Sequence, residues 1–341
     1  MSEAYFDDQL QAWVLSRYAD VLAAFHSSSL LATGLDSPTE PARRRESHTS
    51  KKTRTETRAA LSPAQLSHWS QQLTPAVQAA VNNLPENQPV DLVASYARPG
   101  CLPLAAMVTG INPHDAERLH SIAEPLSASA AEPFDLSLKP PAKAAAAELR
   151  NWFHSGPEPL RDSGFVALTH TLPALLANAW YRLVQQPQQW GLLHREPELM
   201  DQAIEELLRC AGLPNLLFRR ATEDVQVGGV AVRRGERIVL KIMEANHDPT
   251  RFPHPDSVDI TRRGAKQLSF GAGPHSCVGA GLIRMAATAM TRPLIERFAQ
   301  ATLHAEVEWR GGSGFLSPKS LWVVLTSSNS RDTVGPGTPL T

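Results

Sequence analysis

Phe270-Gly-Ala-Gly-Pro-His-Ser-Cys277-Val-Gly279 sets one cysteine in a glycine-rich loop directly ahead of a helical stretch that opens at Ala280. In such a loop backbone N–H groups turn toward the sulfur, and the positive end of the following helix stabilises negative charge, so the sequence predicts a favoured thiolate. A lone cysteine also reads as a small buried hydrophobe. Zinc held by His275 and Cys277 is the poorer reading, because no second ligand pair follows at finger or knuckle spacing. Cys101 and Cys210 are too scattered to add a disulfide framework, so a reducing, cytoplasmic setting is expected.

Working outward, the helix after the loop is expected over Ala280–Gln300, followed by a strand pair through 307–309 and 321–325 and a disordered tail over 327–341. Upstream, Val225–Val232 and Arg237–Lys241 read as strands around Gly228-Gly229 and Arg234-Gly235 turns, and Glu196–Cys210 as a helix. The longest helical pattern runs from about 162 to 186 and is apolar over most of its circumference. Pro173 interrupts it, and a proline there displaces the carbonyl of Thr169 from the helical ladder. The first half reads as a strand at 12–15, a helix at 18–25, a surface loop over 27–50, and helices on either side of Ser62-Pro63.

With its company, the cysteine loop becomes specific. The pattern Phe-x-x-Gly-x-x-x-Cys-x-Gly resembles the haem-binding loop of the cytochrome P450 family. Glu206-Leu-Leu-Arg209 upstream resembles that family's Glu-x-x-Arg pair, and Ala245-Asn-His-Asp-Pro-Thr-Arg-Phe-Pro253 with Asp256 resembles its meander. The resemblance implies a mainly α fold with small β-sheets, a cytochrome P450-like haem-thiolate fold, formed by one domain over 1–326. It implies haem b (iron-protoporphyrin IX) as cofactor, with Cys277 as the iron ligand, its thiolate pushing electron density toward the metal. Phe270, Gly271 and Gly279 match the frame of the loop, and Glu206 and Arg209 are implied to be structural, locking the meander. Arg219 and His275 match basic positions that meet the haem propionates. Arg54 matches a third when aligned on Leu61-Ser-Pro63, but the histidine expected four residues earlier falls on Ser50, while the nearby His48 pairs in spacing with Lys52.

Ala167-Leu-Thr-His-Thr171 resembles the oxygen-binding helix. Thr171 stands where the family has its proton-steering threonine, His170 where an acid is usual, and Leu168 where glycine leaves a groove. His170 is expected either to shuttle protons or to pack as a core histidine, and Leu168 to narrow the groove. Relative to the family the chain looks shortened ahead of its first strand and near 153–160.

The 341 residues carry 33 basic and 34 acidic side chains and are 42% hydrophobic, which excludes a disordered chain and gives no basic surplus for nucleic acid. No apolar run approaches the roughly 20 residues of a membrane span, so no membrane association is expected. The leading expectation is a monooxygenase or oxidase acting on a small-molecule substrate, with electrons from a ferredoxin- or flavodoxin-type donor, since no dinucleotide-binding motif is present. The basic stretch Lys51–Arg58 is a candidate docking face. Two other classes stay open: a haem-thiolate enzyme outside the dioxygen cycle (peroxygenase, dehydratase or isomerase), or a noncatalytic haem-binding protein. Expected pocket segments are 32–45, 115–128, 140–153, 213–217 and 313–316.

Overall fold

The structure, a computed structural model, describes residues 3–32, 48–153, 160, 162–264 and 266–327. The expected tail beyond 327, most of the segment near 153–160, most of the loop 32–45 and the side chains of His48, Ser50 and Lys52 lie outside the described residues.

Helices dominate, and their apolar faces meet in one large core. The helix Leu172–Val184 lies at its centre, with Leu172, Leu176, Trp180 and Leu183 fully buried. Around it pack Pro63–Asn82, Arg98–Thr109, Met200–Ala211 and Ala280–Arg297. Ser62 caps the first of these by accepting a bond from the Gln65 N–H at 3.4 Å, and Pro63 occupies the first turn, as its missing N–H and fixed φ favour. The Trp180 indole donates to Thr291 Oγ1 at 3.1 Å, and the Tyr96 hydroxyl donates to the Met290 carbonyl at 2.6 Å, so the polar tips of these buried rings are satisfied.

A five-stranded sheet flanks the helices in the order Tyr5–Asp7, Ala12–Leu15, Arg237–Lys241, Leu216–Ala221, Leu30–Ala32. Among the described residues its one parallel pairing joins Ala12–Leu15 to Arg237–Lys241, and the sheet covers a smaller core with Val21, Phe25, Leu240 and Phe252. At the C-terminal end the pairing differs from the sequence expectation. Trp309–Gly311 turns back on Leu316–Pro318, and Trp322–Thr326 lies between Pro89–Asp91 and Gln300–Leu303. The reason is local: Gly311, at φ 88°, allows a tight hairpin that consumes the first strand's partner before residue 321 is reached. The preceding helix ends at Arg297, leaving Gln300 free to start a strand.

The long central helix is also not continuous. Between the α-helical turns Asp162–Val166 and Leu172–Val184, residues Ala167–Thr171 form a π-helical segment in which the Leu172 N–H donates to the carbonyl of Ala167, five residues back. Pro173, in the first turn after the segment, supplies no N–H for Thr169, and the extra residue per turn absorbs that loss.

Candidate functional site

The cysteine loop is built by its own backbone. Cys277 N–H donates to the Phe270 carbonyl at 2.8 Å, closing a turn that brings the sulfur in front of the helix starting at Ala280. Gly273, at φ 67°, passes so close to the end of the helix Tyr18–His26 that a Cβ would stand 2.7 Å from the Phe25 carbonyl oxygen. Only glycine serves there. A Cβ on Gly279 would sit 3.8 Å from Cys277 Sγ, in ordinary van der Waals contact with the sulfur.

The sulfur lines a cavity of about 340 Å³ whose wall is almost wholly apolar. The structure brings Cys277, His275, Phe270, Gly271, Arg219 and Thr171 together around it. Arg54 stands behind the loop and donates from Nη2 to the Ser276 carbonyl at 2.8 Å, next to the sulfur-bearing residue. Ala167 faces the cavity, whereas Leu168 is buried in the main core. The π-helical segment thereby turns the smaller residue to the groove, and Leu168 does not narrow it. Of the expected pocket segments, 213–217 contributes Leu213, Pro214 and Leu217, while 115–128, 140–153 and 313–316 contribute nothing to this wall.

One sequence expectation is corrected, and of the two readings of His170 the packed core histidine is the one observed. Although its side chain is open to the cavity, desolvation by the surrounding apolar wall pushes the Cys277 thiol up, against the N–H groups of Gly279 and Ala280 and the positive charge of Arg54 and Arg284. His170 does not line the cavity at all. It is fully buried, with its Nδ1 3.0 Å from Thr169 Oγ1, its Nε2 3.1 Å from Glu124 Oε2 and its ring stacked 4.1 Å from that of His120. One residue of helical rotation separates the cavity-facing Thr171 from this inward histidine.

Arg219 is the unusual charge in the cavity. It is 6% exposed, donates from Nη1 to its neighbour's carbonyl, Phe218, at 2.9 Å and stacks 5.3 Å over the Phe25 ring. Among the described residues no carboxylate pairs with it, and burial draws its pKa down. A buried, unneutralised guanidinium at the wall of an apolar cavity is suited to a carboxylate-bearing ligand.

Glu206 and Arg209 lie away from the cavity, at the heart of the support beneath it. Their side chains form a bidentate pair at 2.8 Å for both contacts, each nearly inaccessible. Arg209 also donates to the carbonyls of Asn246, Pro255 and Ser257, at 2.9, 2.7 and 3.0 Å, and Glu206 accepts from the Asp259 N–H and from Arg262 Nε. Although burial alone would lower it, the pKa of Arg209 is raised by the Glu206 carboxylate. Two members of this assembly were not singled out in the sequence. Arg262 completes the ion cluster, and Asn246 ties it to the loop, donating to Ser269 Oγ at 2.9 Å and accepting from the Leu268 N–H at 2.7 Å. Asn246 lies within the meander text and was open to recognition; Arg262 carries no local signal.

One apolar cavity thus gathers a cysteine, a threonine from the widened helix and a buried arginine. The family model described as Cytochrome P450 matches residues 193–321. Nocardicin C N-oxygenase of Nocardia uniformis subsp. tsuyamanensis is 42% identical over 146 residues, 41% of this chain and 37% of that protein. Linalool 8-monooxygenase of Pseudomonas putida is 29% identical over 296 residues, covering 78% of this chain and 73% of that one. The crystal structure of P450BioI with an acyl carrier protein superposes with a TM-score of 0.85 at 22% identity, covering 95% of both chains. Residues 193–321 thus resemble the cytochrome P450 family, and the whole chain has the fold of solved P450 structures. The best-scoring sequence alignments span little more than a third of the relatives' own length, 37% and 36% for the first two. Among the described residues no helix is long and apolar enough to cross a membrane.

Proposed function

We propose that this protein is a haem-thiolate oxidoreductase, a monooxygenase or oxidase that acts on a small, largely apolar molecule. The observation that carries the reading is the single cavity onto which Cys277, Thr171 and Arg219 all open. Haem b bound there supplies the metal-centred redox chemistry. Cys277 holds it as thiolate, a state that a coordinated metal enforces on a thiol despite the upward push of burial. Arg219, His275 and Arg54 anchor its propionates, while Phe270, Gly271 and Gly279 shape the loop around the sulfur. Leu172, Leu175, Leu213 and Leu217 exclude water and select apolar substrates. Thr171 holds a proton at its Oγ1 on the reacting side. Electrons come from a separate ferredoxin- or flavodoxin-type donor in the cytoplasm. An acidic donor suits the open cleft of about 1040 Å³ behind the cysteine loop, whose wall includes Arg251, Arg263 and Lys266 beside Arg262 and Arg284, the last two paired with Glu206 and Glu205.

Peroxide-driven turnover is the second reading, and the burial of His170 favours it: with the histidine turned inward, Thr171 stands without an acid beside it at the cavity. The haem-loaded protein, given a ferredoxin, its reductase and a panel of small apolar alcohols and fatty acids, is expected to form oxygenated product that depends on both dioxygen and reductase. Product formed with hydrogen peroxide alone, and not with the reductase, selects the second reading. No product from either oxidant across the panel contradicts both. Thr171→Ala is expected to leave the spectrum unchanged while the product formed per electron falls by about tenfold or more.

A further inference from the structure

Outside the cysteine cavity, three side chains with metal-ligating atoms converge where the helix Ala116–Ala131 crosses the π-helical segment. His120 and Glu124 are four residues apart on one helical face, and His170 meets them from the segment, so that one ligating atom from each lies within 4.8 Å of the others. Thr169 Oγ1 has a single proton, and it goes to the Phe165 carbonyl at 2.9 Å. Oγ1 must therefore accept from His170 Nδ1, 3.0 Å away. With Nδ1 so engaged, Nε2 faces the carboxylate of Glu124 at 3.1 Å. Two acceptors at that distance require a cation between them, either a proton or a metal ion. A proton needs only these two groups. The third group decides between them, because His120 is stacked on His170 and its Nδ1 is buried without a hydrogen-bond partner.

We propose that His120, Glu124 and His170 bind a divalent transition-metal ion of the zinc class, distinct from the haem site. The Thr169–His170 bond is the outer contact that orients a metal-binding imidazole, and Thr169 is itself anchored on the backbone. A tetrahedral ion with ligand bonds of about 2.0–2.1 Å needs its ligand atoms about 3.4 Å apart. Ligation requires the half-buried His120 to swing off its stack on His170, and the exposed Glu124 to follow, around a fixed His170. Arg310, 4.0 Å from Glu124 Oε1, and Arg98, near His120, are the opposing charges, and both side chains are more than a third exposed and screened by water. The ion would pin the helix Ala116–Ala131 to the turn that presents Thr171.

The test uses the untagged, haem-loaded protein, equilibrated with zinc chloride, dialysed against metal-free buffer and analysed for zinc and iron together. The expected result is about one zinc per chain. Glu124→Gln and His120→Ala are expected to lose it, with haem iron and far-ultraviolet dichroism unchanged. Glu124→Gln leaves the packing intact and decides the matter should His120→Ala not fold. Zinc no higher than in a buffer control, or retained in full by Glu124→Gln, overturns the proposal and leaves a proton between His170 and Glu124.

Discussion

Two arginines of this protein are almost equally buried and have opposite fates. Arg209 meets a carboxylate face to face and spreads its remaining protons over three backbone carbonyls, and its charge is stabilised. Arg219 reaches one carbonyl and an aromatic ring, and its charge is strained. A buried charge whose partners are all within the chain is part of the scaffold. One whose partner is missing is held ready for a ligand, because burial without neutralisation costs several kcal/mol. The contrast separates the base of the site, which holds the cysteine loop in place, from the wall, which receives what binds.

The largest effect is expected from breaking the first arrangement. Arg209→Ala leaves Glu206 buried opposite Arg262 alone, and urea unfolding should report a loss of about 3–5 kcal/mol, enough to prevent folding of a marginal protein. Asn246→Ala removes the tie between this cluster and the loop and leaves the Leu268 N–H without its acceptor. Its expected cost is about 1–3 kcal/mol, together with weaker haem retention. Arg219→Gln should behave in the opposite way: unfolding of the haem-free chain is unchanged or more difficult, while haem dissociates about tenfold faster, in keeping with about 1.5 kcal/mol for a charge-assisted bond. If Arg219→Gln destabilised the haem-free chain as much as Arg209→Ala, the distinction between base and wall would be lost.

What could be read in the sequence follows the same division. The cysteine loop and the Glu206–Arg209 pair are legible because their physics is local, a glycine turn before a helix and two charges on one helical face. The roles of Arg262 and Glu124 depend on which elements meet in space, and nothing adjacent in the chain signals it. The orientation of His170 turned on a single feature, the extra residue per turn between Ala167 and Thr171, which sends Leu168 and His170 inward and Ala167 and Thr171 to the cavity. Helical spacing predicts neighbours on a regular helix, and Pro173 makes this one irregular. The C-terminal strands were assigned to the wrong partners for a similar reason. Alternation marks Trp322–Thr326 as a strand but does not choose between a near neighbour and Pro89–Asp91, more than 200 residues away in sequence.

On the proposed function, Cys277 is the ligand that this cavity presents to haem. The most direct measurement is the absorption spectrum of the haem-loaded protein reduced with dithionite under carbon monoxide, compared with Cys277→Ser. A strongly red-shifted Soret band in the protein that vanishes in the variant, with haem still bound through Arg219, is the predicted result. An unshifted band, or a shifted one that survives the substitution, would contradict it.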